Sequence, residues 1–135
     1  MIFLLDSNAF SDLMRKNARI EARLAALGPN AQVVICPIVR GEILYGIARL
    51  PHGRRRENLA NQAASLFATI ACAPVPADAA DAYARIKLLR QRQGLSLDEN
   101  DLWIAATASA LGATLVTRDR DFTAMPDLTT VDWTV

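Results

Sequence analysis

The amino-acid sequence predicts an α/β fold, a three-layer α/β/α sandwich around a sheet of four or five mainly parallel strands. Short apolar runs recur along the chain, at residues 2–5, 32–36 and 114–117, each too short for a helix and bounded by turn formers or polar residues. Between them lie longer stretches whose apolar residues recur at helical spacing. Strands that alternate with helices pair in parallel through right-handed crossovers, because only that path packs each helix back onto the twisted sheet. At 135 residues and 52% hydrophobic content, one domain can bury a sufficient core without disulfides or structural metal.

The elements follow in order. Ile2-Phe-Leu-Leu5 reads as a strand buried on both faces, ended abruptly by Asp6, Ser7 and Asn8. Asp6 or Ser7 can cap the helix that runs on to Arg15. A second helix, 18–27, has Ile20, Leu24 and Leu27 on one side and is stopped by Gly28-Pro29-Asn30. Residues 32–36 form a β-branched strand, and Pro37 ends it. The helix of residues 38–50 then presents Val39, Ile43, Leu44 and Ile47 as its apolar face.

Pro51-His52-Gly53 breaks the chain before a long helix, 54–70, that carries Leu59, Ala63, Leu66 and Phe67 inward. The proline-bounded segment 72–76 suits a sheet edge, since proline cannot donate to a ladder. Asp78 is placed to cap a helix through Tyr83, Ile86 and Leu89 to Gln93, which Gly94 terminates. Ser96-Leu-Asp-Glu99 has the capping-box pattern, with Asp98 as the second candidate cap. The helix it opens, 100–111, is rich in alanine, so it can approach a sheet closely, and Gly112 ends it. Strand 114–117, the loop 118–122 and a last strand, 128–131, complete the chain.

Several function classes are disfavoured. No apolar run reaches the roughly 20 residues that span a bilayer, and the first run lacks the basic flank of a signal peptide. A cytoplasmic protein is expected. Cys36 and Cys72 show no metal-finger spacing and lie among apolar residues, which predicts two reduced core thiols. One histidine, His52, cannot support a histidine-rich zinc site and sits in a loop unsuited to a Ser-His-Asp triad. A net charge of +1 argues against a large, uniformly basic surface. The basic residues are nonetheless clustered, Arg49 with Arg54, Arg55 and Arg56, and Arg85 with Lys87, Arg90 and Arg92; solvated helix faces and ends explain both clusters at least as well as a nucleic-acid contact does.

The chemistry lies in the acids. Asp6 follows the first strand, Glu42 lies early in the helix after the second, Asp101 is in the first turn of the alanine-rich helix, and Asp119, with Asp121 close behind, follows the fourth strand. In a parallel sheet these ends share one edge, where α/β folds place their ligands. Each acid has an ordinary alternative: a cap, a helix-dipole partner, a surface residue or a turn former. Together they would repel one another unless a cation or protons neutralised them. Oxygen donors without histidine or thiolate suit Mg²⁺ or Mn²⁺, and such ions support phosphoryl transfer to water by acidifying the water and stabilising the leaving oxygen.

Four blocks also resemble one family. Phe3-Leu-Leu-Asp-Ser-Asn8, Cys36-Pro-Ile-Val-Arg-Gly-Glu-Ile-Leu-Tyr-Gly46, Asn100-Asp-Leu-Trp-Ile-Ala-Ala106 and Leu115-Val-Thr-Arg-Asp-Arg-Asp-Phe122 are similar, in order and separation, to the blocks of PIN-domain ribonucleases, specifically VapC-like toxins of bacterial toxin–antitoxin systems. The resemblance spans essentially the whole chain. It implies a PIN-like fold, RNA cleavage dependent on Mg²⁺ or Mn²⁺, a homodimer, and a cognate VapB-like antitoxin that wraps the toxin and blocks its site. It assigns Asp6, Glu42, Asp101 and Asp119 as catalytic and metal-binding acids, with Asp121 as a fifth ligand. Ser7 stands where the family more often has threonine; a hydroxyl is kept, so contact with a metal-bound water or phosphate is still implied. Asn8 would support the same site, and Arg118 and Arg120 are candidate phosphate contacts or, equally, counter-charges for Asp119 and Asp121. Tyr45, Tyr83 and Trp103 are the stacking candidates, each as well suited to core or interface. A catalytically silent PIN scaffold that binds RNA or protein is the alternative. A receiver-like domain, which also gathers acids at strand ends, is disfavoured because no lysine follows Lys87.

Overall fold

The structure, a computed structural model, describes residues 1–125 and 127–135. Strand β1 (Ile2–Leu5) leads to helices α1 (Ser7–Met14) and α2 (Ala18–Ala25), and β2 (Gln32–Ile35) leads to α3 (Pro37–Ala48) and α4 (Arg54–Thr69). Strand β3 (Ala71–Cys72) precedes α5 (Ala79–Arg92) and α6 (Glu99–Leu111), and β4 (Thr114–Val116) precedes a 3₁₀ turn (Arg120–Phe122) and β5 (Thr129–Val131). The helices flank one five-stranded sheet of order β3-β2-β1-β4-β5, in which every adjacent pair is parallel.

The most apolar run of the sequence therefore occupies the centre of the sheet. Leu4 is in register with Val34 on one side and Leu115 on the other, and Leu4, Leu5, Ile35 and Leu115 are wholly excluded from solvent. From β1 the chain steps outward through β2 to β3, then returns to the opposite side of β1 with β4. That reversal creates a crevice at the carboxyl ends of the strands, beside Asp6. Pairing continues past the regular strands: the Asp6 amide donates to Val116 O (3.1 Å) and the Thr117 amide to Val131 O (2.9 Å). Asp6 is thereby set next to the residues that follow β4.

Helix α6 packs through Ala105, Ala106 and Ala108, all fully buried, as its small residues suggested. Gly112 closes it in the left-handed conformation (φ 64°), where a side chain would be strained. Phe10 of α1 stacks on Phe67 of α4 (5.1 Å between centroids), and Phe3 meets Trp133 near the carboxyl terminus (5.2 Å).

Several expectations need correction. Cys36 is buried, but Cys72 is exposed, because β3 is only two residues long and lies at the sheet edge. The edge strand is Ala71–Cys72; the prolines after it carry no ladder. Leu44 is 47% exposed and leaves the apolar face of α3 to Val39, Ile43 and the half-buried Ile47. Arg90, expected on a solvated face, is buried at 4% exposure. Ser96 does not cap α6; Asp98 does, accepting from the Asn100 amide (3.2 Å). Asp78 occupies the cap position of α5 without a side-chain bond, and α2 stops at Ala25, two residues short of the expected end.

Candidate active site

Asp6 caps α1 and also stands in the crevice where the sequence places a site. Its Oδ1 accepts from the Ala9 amide (2.8 Å), which opens α1, and the side chain is 4% exposed in the crevice at the end of β1. Burial pushes its carboxyl above the usual range; the Thr117 hydroxyl and the Ala9 amide pull it down, and Asp119 pushes it up again. Thr117 also accepts the Asp119 amide on its hydroxyl oxygen (3.0 Å), so this one side chain links the first and fourth acids.

Glu42 sits in the second turn of α3, half-buried, and its Oε1 accepts the Ser7 hydroxyl at 2.8 Å. Ser7 thereby ties α1 to α3 and fixes the glutamate. Asp101 enters from the first turn of α6. Its carboxyl is pushed up to about 6, first by burial and then by the negative charges of Asp98, Glu42, Asp119 and Asp6. The charges of Glu42, Asp119 and Asp6, carried by three other parts of the fold, thus reach Asp101. Asp98 is a fifth negative group that sequence reasoning treated only as a cap.

Asp119 is half-buried, and its Oδ1 accepts from the Asp121 amide (2.9 Å), which forms the 3₁₀ turn. Asp121 itself is exposed, and its carbonyl accepts from Arg90 (3.3 Å), whose other terminal nitrogen donates to Ser96 O (3.2 Å). Arg90 therefore joins the loop of Asp119 to the loop that precedes Asp101, with its Nε buried and unpartnered. Arg118 does not pair with Asp119 or Asp121. Its Nε donates to the buried Asp12 (3.1 Å), which also meets Arg15 at 3.4 Å, although Arg118 still pulls the Asp6 carboxyl down. Asn8 and Arg120 are exposed at the rim.

Among the described residues, no three Asp, Glu, His or Cys side chains stand close enough, as placed, to share an ion. The donor set nevertheless fits a hard divalent cation in type and in charge: oxygen only, partly buried and mutually repulsive, with the one guanidinium that acts on it, Arg118, held by Asp12. Thr117, Asp12 and Arg90 escaped sequence reasoning. A hydroxyl at a strand end just before an acid, and an acid set among Phe10, Leu13 and Met14, were the available signals for the first two; nothing marked Arg90.

The PIN domain family model matches residues 3–128. The chain belongs to the PIN domain family. Among similar proteins of this family, Ribonuclease VapC1 of Haemophilus influenzae is 30% identical over 99% of each chain. Similar solved structures include VapBC-1 from nontypeable Haemophilus influenzae (TM-score 0.88, 28% identity, 100% of both chains) and VapBC2 from Rickettsia felis bound to a promoter DNA fragment (TM-score 0.89, 26% identity, 98% of this chain and 99% of the other). The PIN fold thus extends over the whole chain, with Asp6 and Asp119 just past β1 and β4 and Glu42 and Asp101 in the early turns of α3 and α6.

Proposed function

We propose that this PIN domain is a Mg²⁺- or Mn²⁺-dependent endoribonuclease, the toxin of a VapBC-type module, acting in the cytoplasm as a homodimer and restrained by a VapB-like antitoxin. The observation that supports the reading best is that Glu42, Asp119 and Asp6 all repel the half-buried Asp101, with no cation of the chain to offset them there. Support for the substrate and for the antitoxin comes from relatives named as VapC ribonucleases and from neighbours solved as VapBC assemblies. Among the described residues no helix is long and apolar enough to cross a membrane. Leu44 and Tyr45, exposed side by side on α3, offer apolar surface for a second copy.

Asp6 and Asp101 would be the principal ligands, with Glu42, Asp119 and the more exposed Asp121 completing the set. The ion supplies positive charge for the phosphate and lowers the pKa of water for the attack. The chain's own contribution is placement. Thr117 and the Ala9 amide orient Asp6, Ser7 holds Glu42 against α1, and Arg90 ties the loop that precedes α6 and Asp101 to the turn that follows Asp119. Asn8 and Arg120, at the rim, are placed to contact the RNA backbone. Arg118 serves the site through its field on Asp6 while Asp12 holds it.

RNA cleavage by the wild type, Asp6→Asn and Asp101→Asn in Mg²⁺ and in Mn²⁺ tests this reading. Cleavage by the wild type alone, abolished by chelation, is the expected result. Equal cleavage by all three proteins would remove the site assignment, and RNA binding without cleavage in either metal would make the chain a silent scaffold.

A further inference from the structure

A groove of about 400 Å³ opens beside Glu42, between α1, α3 and α4. Ser7 and Glu42 belong to its lining, so it is continuous with the candidate active site. Farther along it are three guanidinium groups, Arg15, Arg49 and Arg55, and an apolar set that includes Ile47, Leu50 and Leu59. Glu42 is the only acid in that lining among the described residues.

The arginines are poorly neutralised by the protein itself. Arg15 shares the single carboxylate of Asp12 with Arg118. Arg49 lies over the exposed Tyr45 ring, 5.9 Å from its centroid. Among the described residues neither Arg49 nor Arg55 has a carboxylate within ion-pair distance. Placement adds to this. Arg54, Arg55 and Arg56 open the first turn of α4, where the helix field favours acids; Glu57 is the one acid in that turn, and Gly53 before them supplies no side-chain cap. Three cations there cost the helix stability, so the cluster is poorly explained as helix design.

We infer that this groove is a binding channel for single-stranded RNA next to the scissile phosphate, with Arg49 and Arg55 contacting backbone phosphates and the apolar lining receiving a base. The identity of the ligand rests on the ribonuclease reading. Charge decides in favour of RNA: a strand leaving an acid-rich site needs its next phosphates neutralised, and the groove supplies guanidiniums there. Among the described residues no aromatic ring lines it, so the base is held by van der Waals contact, and this subsite discriminates weakly among sequences.

The test uses the full chain and a fluorescein-labelled single-stranded RNA of about ten nucleotides, in chelator so that no cleavage intervenes. Arg49→Ala/Arg55→Ala is expected to weaken binding about tenfold and, at roughly 0.7 per phosphate contact, to reduce the salt slope of log Kd by about 1.4. Arg55→Glu is expected to weaken it further, and Arg49→Lys/Arg55→Lys to restore most of the affinity. Both residues are exposed, so circular dichroism should match the wild type and the melting temperature should be no lower. Unchanged affinity and slope in the alanine and glutamate variants would overturn the proposal, as would variants that keep RNA affinity but lose binding to a protein partner. Arginine-dependent binding by a wild type that cleaves no RNA in Mg²⁺ would defeat the ribonuclease reading and leave the channel standing. Cleavage with arginine-independent binding would do the reverse.

Discussion

Glu99 and Asp101 lie two residues apart in the first turn of α6, and their surroundings are opposite. Glu99 is solvent-exposed, accepts from Lys87 (2.7 Å) and from the Tyr83 hydroxyl, and is held below the usual carboxylate range by those bonds. Lys87 is raised in turn, and Tyr83 stacks on Trp103 at 4.2 Å, so this face is a closed staple between α5 and α6. Asp101, turned toward the crevice, meets burial and four like charges and is raised to about 6. One helix turn thus carries a carboxylate already satisfied by its own chain and another that the chain surrounds with like charges and leaves without a counter-charge of its own. A charged cluster whose partners are internal is architecture; one whose members repel is a site waiting for a ligand.

The comparison breaks most visibly in activity. Asp101→Asn is expected to lower RNA cleavage by about 10³-fold or more, since it removes a ligand whose charge stabilises the transition state by several kcal/mol. Glu99→Gln, two residues away, should leave cleavage close to wild type. Equal losses in single-turnover cleavage would erase the distinction between the two faces.

Arg90 comes next, because it is buried and donates to carbonyls of both acid-bearing loops. Arg90→Ala leaves those carbonyls unpaired and should cost about 2 kcal/mol, or roughly 8 °C in melting temperature. A shift below 2 °C in calorimetry would show that the loops hold each other without it. Thr117→Val keeps the shape and removes the hydroxyl shared by Asp6 and Asp119. Cleavage should fall about tenfold, equivalent to about 1.4 kcal/mol, with the fold intact. Wild-type cleavage rates in that variant would mean that the Asp6 orientation is set by Ala9 alone.

The smallest effect concerns stability and pH. The folded-state pKa of Asp101 lies above its unfolded value, so the folded chain holds a proton that the unfolded chain releases. Its contribution is fully present below pH 3.8 and is lost as pH rises to about 6. That shift corresponds to no more than about 3 kcal/mol, and solvent screening of a half-buried group reduces it to about 1 kcal/mol. In chelator at pH 7, Asp101→Asn should therefore melt about 4 °C higher than the wild type, with no difference at pH 3.5. A lower melting temperature for the variant at pH 7 would show that the aspartate is satisfied in the metal-free protein.

Patterns of residue type were sufficient for the architecture. The apolar run at Ile2–Leu5 led to a central strand, the alanines of α6 to close packing, and the prolines after Cys72 to an edge. The acids were legible because strand ends in a parallel sheet share an edge, so Asp6 and Asp119 could be joined across more than a hundred residues. What stayed hidden depends on side-chain direction. Arg90 and Arg92 share a helix turn, and only packing against two loops buries the first while the second remains exposed. Asp12, Arg15 and Arg118 meet across α1 and the loop after β4, a contact that no local pattern marks. The Ser7–Glu42 bond likewise needs the relative placement of α1 and α3.

The central claim, that the crevice at the end of β1 is built for a divalent cation, is tested most directly by calorimetric titration of Mn²⁺ into the wild type and Asp101→Asn at pH 7.5 and pH 5. Binding by the wild type at pH 7.5, weakened at pH 5 as Asp101 takes up its proton and largely lost in the variant at both values, is the predicted result. Equal binding by the two proteins at pH 7.5, or none by the wild type, would contradict it.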